Sequence, residues 1–217
     1  MSTPTPATTT VAIPLFDRFT ALDAIGPYEV LSRLPGASLE FVAAEPGPVS
    51  TDNGMLTLVA EHSIADVPAA DIVLVPGGPG EVAARAGGPV LEWLQGVHAT
   101  STWTTSVCTG SLILAAAGLL EGRRATSHWL ALEKLGELGA EPVSQRVVFD
   151  GKIVTAAGVS AGIDMALALA AEVAGVAVAQ AIQLGIEYDP QPPFDAGSPS
   201  TAPAEVVEAL RSRSRFS

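Results

Sequence analysis

The sequence predicts an α/β fold built on a mainly parallel sheet with helices on both faces. Strand-like apolar runs alternate with helical patterns along most of the chain, and such alternation implies right-handed βαβ crossovers. The run Asp71-Ile-Val-Leu-Val75 is apolar after its first residue, as a strand buried on both faces must be, and it stops in Pro76-Gly-Gly-Pro-Gly80. Composition agrees: hydrophobic residues make up 48% of the 217 and charged residues 16%, enough to build a substantial core.

Taken in order, residues 1–9 are Pro/Thr-rich and are expected to be disordered. Val11 to Phe16 reads as a first buried strand. Asp23 to Leu34 has helical spacing, with Ile25, Tyr28, Leu31 and Leu34 apolar. Leu39 to Ala43 is strand-like, and Val49 to Val59 reads as a hairpin turning at Asn53-Gly54. Helical patterns at 81–86 and 89–98 follow the strand 71–75. Ser101 to Val107 is a β-branched strand, and Leu112 to Leu120 is an apolar helix closing near Gly118. A helix near 129–138, a hairpin from Val147 to Thr155 and two helices across 160–187 complete the core. Beyond Pro190 the chain is loop-like, with a last helix from about Ala204, and Arg211 to Arg215 reads as a frayed, solvated tail. No linker divides the chain, so residues 10–217 are read as one domain.

Several function classes are disfavoured. A formal net charge of −12 argues against a nucleic-acid partner. One cysteine forms no intramolecular disulfide. The first ten residues have no basic or apolar region of a signal peptide. The apolar run from Ala166 to Ala181 is interrupted by Glu172, Gly175 and Gln180, which suits a buried helix and not a membrane span. A soluble, cytoplasmic protein is expected. No ligand spacing such as His-x-x-x-His occurs, so no metal is expected.

Chemistry points to Cys108, the single cysteine. It sits on a sharp strand-to-helix turn, where helix N–H groups and the helix dipole would stabilise a thiolate and make a nucleophile. The competing role is that of a small buried apolar residue. The amides of Gly77 and Gly78 could form an oxyanion hole beside it, or the glycines could merely make a tight turn. Asp23 could cap its helix, or share a proton with the thiol as general acid and base; Asp17, nearer the strand end, is expected to be exposed. His62 and His98 sit in polar contexts and read as solvated. His128 borders a turn and is a secondary candidate for a Cys-His dyad. Gly158 and Gly162 permit close backbone approach to a ligand or a neighbouring helix. Asp164 belongs to a first helical turn and needs no catalytic role.

These motifs resemble the ThiJ/PfpI superfamily and, within it, the isonitrile (isocyanide) hydratases, from about Val11 to Val207. The likeness rests on Leu22-Asp-Ala-Ile-Gly-Pro27, Val75-Pro-Gly-Gly78, Thr105-Ser-Val-Cys-Thr-Gly-Ser111, the segment Gly118 to Trp129, Ala161-Gly-Ile-Asp164 and the segment Pro192 to Pro199. It implies a flavodoxin-like three-layer sandwich with a nucleophile elbow (class I glutamine amidotransferase-like) and a homodimer. It also implies a cofactor-free reaction in which an isocyanide and water give an N-substituted formamide through a cysteine thioimidate. By matching motif, Cys108 would be the nucleophile and Asp23 the acid/base. Thr109 would line the site, Gly77 and Gly78 would supply amide donors, and Val159 would lie near the substrate. Peptidase branches have His after the cysteine, and Thr109 departs from them. Two alternatives remain: a glyoxalase/deglycase-type enzyme acting on reactive carbonyls, usually with Glu where Asp23 stands, and a ligand-sensing domain related to AraC-type regulators. A regulator would need a DNA-binding domain, for which the residues after the last core helix are too few.

Overall fold

The computed structural model describes residues 8–216. Strand β1 (Thr9–Pro14) leads into α1 (Ala21–Leu31), β2 (Ala37–Ala43), the pair β3 (Gly47–Ser50) and β4 (Thr57–Ala60), and the two-residue β5 (His62–Ser63). Next come β6 (Ile72–Val75), α2 (Glu81–Arg85), α3 (Pro89–Thr100), β7 (Trp103–Val107) and α4 (Gly110–Ala116). After these, β8 (Arg124–Ala125) and a 3-10 turn at Trp129–Ala131 precede α5 (Leu132–Glu137), β9 (Glu141–Pro142), β10 (Val147–Asp150) and β11 (Ile153–Ala156). Helices α6 (Ala161–Ala174), α7 (Val176–Gly185) and α8 (Ala204–Arg211) close the order.

Seven strands form the central sheet in the order β10-β11-β7-β6-β1-β2-β5. Every neighbouring pair is parallel except β10 with β11. Alternation along each inner strand sends side chains to two cores. Val11, Ile13, Ile72 and Leu74 meet Val30 and Leu31 of α1 and Met165 and Leu169 of α6 on one face. Ala12, Val73 and Val75 meet Leu94 of α3 and Leu112 and Ile113 of α4 on the other. The result is the expected three-layer α/β sandwich. Among the described residues, no helix is long and apolar enough to cross a membrane.

Several sequence expectations need correction. Thr9 is not part of a disordered segment: it opens β1 opposite Ala37, while residues 1–7 lie outside the described residues. The Asn53-Gly54 hairpin exists, but β3 and β4 are joined by a longer loop. Gly54 takes φ 69°, and Asn53 Oδ1 accepts the Met55 N–H at 2.9 Å. Strands β5, β8 and β9 escaped the sequence reading because two residues carry no period.

Parallel pairing puts the carboxyl ends of β1, β6 and β7 on one edge. Chain direction across the sheet reverses between β1 and β6, since β1 continues outward to β2 while β6 lies on its other side. Three turns converge there: the approach to α1, the Pro76–Gly80 loop and the Cys108 elbow.

Candidate active site

Cys108 has φ 57°, a left-handed conformation that only three described non-glycine residues adopt. The turn is held from both sides. Its N–H donates to the carbonyls of Ala156 and Ala157 at 3.1 and 2.9 Å, and its own carbonyl accepts from Ser111 Oγ at 3.1 Å and Ser127 Oγ at 3.0 Å. Gly110 must follow closely, because a Cβ there would stand 2.2 Å from the Val75 carbonyl oxygen.

The thiol is 6% exposed. Burial pushes its pKa up, as does the Asp23 carboxylate; the amides of Val159 and Thr109 and the Thr109 hydroxyl pull it back, and the outcome is about 12. The stabilised thiolate expected from the helix terminus is therefore corrected. Amide donors do face the sulfur, but desolvation and a neighbouring negative charge outweigh them. Cys108 is held as a thiol.

Asp23 lies in the first turn of α1 and is fully buried. It does not cap the helix; Thr20 occupies that position, and Asp23 Oδ2 accepts the Gly77 N–H at 2.9 Å. Oδ1 completes no hydrogen bond of normal geometry, although the Cys108 thiol is near enough to act on the carboxyl. Desolvation raises the Asp23 pKa to about 7, with the Gly77 amide and the thiol opposing and Asp52 adding a push upward. A carboxyl that titrates near neutrality thus stands against a protonated sulfur.

The oxyanion expectation for Gly77 and Gly78 is also corrected, because both N–H groups are already engaged. Gly77 donates to Asp23, and Gly78 donates to Thr109 Oγ1 at 2.9 Å. Their role is to fix the two residues flanking the sulfur. Bare glycine is required at the first of them, since a Cβ on Gly77 would lie 2.5 Å from the Thr109 nitrogen. The amides left facing the sulfur are those of Thr109 and Val159. Val159 therefore contributes main chain as well as apolar surface.

A cavity of about 330 Å³ opens over the sulfur, lined by Thr109, Gly78, His128, Leu130, Val159 and Phe216 among others. His128 reaches this cavity but forms no dyad. Its Nδ1 accepts the Leu130 N–H at 3.3 Å, and burial, assisted by the Arg215 charge, lowers its pKa and favours the neutral ring. Gly158 leaves room for that ring, since a Cβ would meet His128 Cδ2 at 3.0 Å. Asp17 and His62 are exposed as expected. His98 is not simply solvated: it is half-buried, with Nδ1 2.8 Å from Thr104 Oγ1. Asp164 pairs with Arg146 and accepts from the Tyr188 hydroxyl, away from the sulfur. Among the described residues, no three His, Cys, Asp or Glu side chains gather as a metal-binding group.

Sequence reasoning missed the cavity's outer side. The stretch after α8, read as a frayed tail, returns to the site, where Arg213, Ser214, Arg215 and Phe216 line the cavity. Arg215 donates to the Gly78 carbonyl at 3.2 Å. The one hint in the sequence is an aromatic residue closing a serine–arginine stretch.

Comparison with known proteins agrees with this geometry. Residues 9–172 match the DJ-1/PfpI family. The chain is 46% identical over 199 residues to an isonitrile hydratase of Pseudomonas putida, covering 92% of this chain and 87% of the relative. It is 32% identical over 168 residues to the HTH-type transcriptional regulator CdhR of Pseudomonas aeruginosa, of which it spans 49%. A crystal structure of a ThiJ/PfpI family protein from Pseudomonas syringae superposes with a TM-score of 0.93 at 39% identity, covering 97% of this chain and 87% of that one. With the elbow cysteine, the buried acid and the glycine loop in one place, the chain belongs to the DJ-1/PfpI family.

Proposed function

We propose that the protein is a cysteine-dependent, cofactor-free isonitrile hydratase. The observation that carries this reading is the buried Asp23, held by the Gly77 amide beside the Cys108 thiol at the elbow, with burial raising its pKa to about 7. Such an acid can take and return a proton near neutral pH, where general acid–base catalysis is most effective. The close relationship to the Pseudomonas putida hydratase supports the same substrate class.

The steps balance as follows. Asp23 carboxylate accepts the thiol proton as sulfur bonds to the terminal carbon of R–N≡C, and then delivers that proton to the same carbon. The product is a thioimidate, R–N=CH–S–Cys108. A water adds to this carbon while Asp23 takes one of its protons and nitrogen gains one, giving R–NH–CH(OH)–S–Cys108. Cleavage of the carbon–sulfur bond forms the formamide R–NH–CHO, and the hydroxyl proton returns through Asp23 to sulfur. The Thr109 and Val159 amides stabilise negative charge on sulfur as it departs, and the apolar cavity wall suits an uncharged substituent. The enzyme is proposed to act in the cytoplasm, as a homodimer.

Purified protein given an alkyl isocyanide should release the matching formamide, and mass spectrometry should detect a thioimidate on Cys108. Cys108→Ala should abolish turnover. Asp23→Asn should lower kcat by roughly 10²–10⁴ while the fold persists. Full turnover in Cys108→Ala would overturn the reading, and loss of methylglyoxal in place of formamide release would favour the carbonyl-directed alternative.

A further inference from the structure

The return of the chain to the cysteine has a specific anchor. Glu81, at the start of α2, is fully buried. Its Oε2 accepts from Arg85 Nε at 2.7 Å, whereas Oε1 completes no normal hydrogen bond and has the Arg215 guanidinium 3.4 Å away. The same guanidinium donates to the Gly78 carbonyl, so one side chain ties the segment to both α2 and the glycine loop. Removing a partner from a buried carboxylate costs more than breaking a surface pair, because the remaining charge is left uncompensated.

Phe216 extends this arrangement. It is half-buried, packs against the core cluster that contains Leu94, Leu112 and Leu135, and lies 4.7 Å from the Arg215 guanidinium, within cation–π range. On the approach to the segment, Arg211 at the end of α8 stands 5.7 Å over the Trp129 ring. The stretch is therefore attached at Arg211 and at Arg215–Phe216, and Arg213 to Phe216 line the Cys108 cavity. Phe216 thus lines the same cavity as the Cys108 thiol.

We propose that Arg213–Phe216 is the outer wall of the Cys108 cavity, that Phe216 limits the size of the isocyanide substituent, and that the contact of Arg215 with Glu81 and Gly78 latches the wall. The size limit rests on the hydratase reading; the wall itself does not.

Two measurements test it. Alkylation of Cys108 by iodoacetamide, followed by mass spectrometry, reports access without turnover. Arg215→Ala should raise its rate at least about tenfold, the scale of losing its charge-assisted contacts. Hydration of methyl isocyanide and cyclohexyl isocyanide reports size selection. Phe216→Ala should shift the kcat/KM ratio toward the cyclohexyl compound by about tenfold, as enlarging an apolar pocket does. Phe216→Ala removes the ring contact with Arg215 but leaves its contacts with Glu81 and Gly78, so it keeps the test informative if Arg215→Ala folds poorly. Unchanged alkylation in both variants, with an unchanged ratio, would overturn the wall even if wild type hydrates isocyanides. Faster alkylation in a protein that hydrates none would remove the hydratase reading and keep the wall.

Discussion

At the scale of single residues, Asp23 dominates. Its raised pKa, about 7, sets the expected pH dependence: the carboxylate must be free to take the thiol proton, so kcat/KM should rise with pH and level off above a midpoint near 7. A pH profile checks this, and a midpoint near 4 would mean that the carboxyl is solvated during turnover. Cys108 was legible in the sequence because a lone cysteine at an elbow leaves a strong local pattern; Asp23 was not, since an acid opening a helix reads equally as a cap, and only the resemblance of Leu22–Pro27 to the family pointed to an acid/base. The assignment of Gly77 and Gly78 was not legible either. A sequence gives amide donors but not the acceptors they face, and here Asp23 and Thr109 take them. Thiol ionisation was misread for a related reason: the helix terminus is local, while the burial that opposes it comes from the whole fold.

At the scale of elements, the elbow depends on β6, β7 and α4 meeting without side chains between them. Gly110→Ala places a Cβ 2.2 Å from one backbone oxygen and 2.9 Å from another, and backbone atoms cannot rotate away. The variant should lose more than about 2 kcal/mol of stability in urea titrations, a clash-type loss above the usual range for helix surfaces. Gly162 closes the other side, with a prospective Cβ 3.0 Å from Val107 and 3.1 Å from Pro27, so α6 lies tight on β7 and α1. The strand–turn–helix sequence was readable from β-branched residues giving way to glycine and then leucine. The stretch after α8 was not, since Arg-Ser repeats look the same whether solvated or latched. What holds it is Glu81, remote in sequence.

At the scale of the whole molecule, the buried acid opposes stability. The Asp23 pKa rises from 3.8 unfolded to about 7 folded, so the folded state binds more protons within that window. Its contribution is therefore most favourable below pH 4 and declines as pH rises to 7, by at most about 4 kcal/mol. Asp23→Asn should gain on wild type in Tm across that range and hold a constant margin above it; parallel curves would indicate that the carboxyl is not desolvated. The sheet's rims bear on behaviour at high concentration. Beyond β2 the sheet ends on the two-residue β5, which pairs only with Val42 and Ala43, so Ala37–Phe41 of β2 lie on this border beyond its reach. On the opposite rim, Asp150 of β10 is occupied by Arg123 Nη1 at 2.9 Å and the Arg124 N–H at 3.0 Å. Charge and occupancy at Asp150 discourage cross-β growth from that border, which leaves the β2 margin as the side a self-associating copy would have to use.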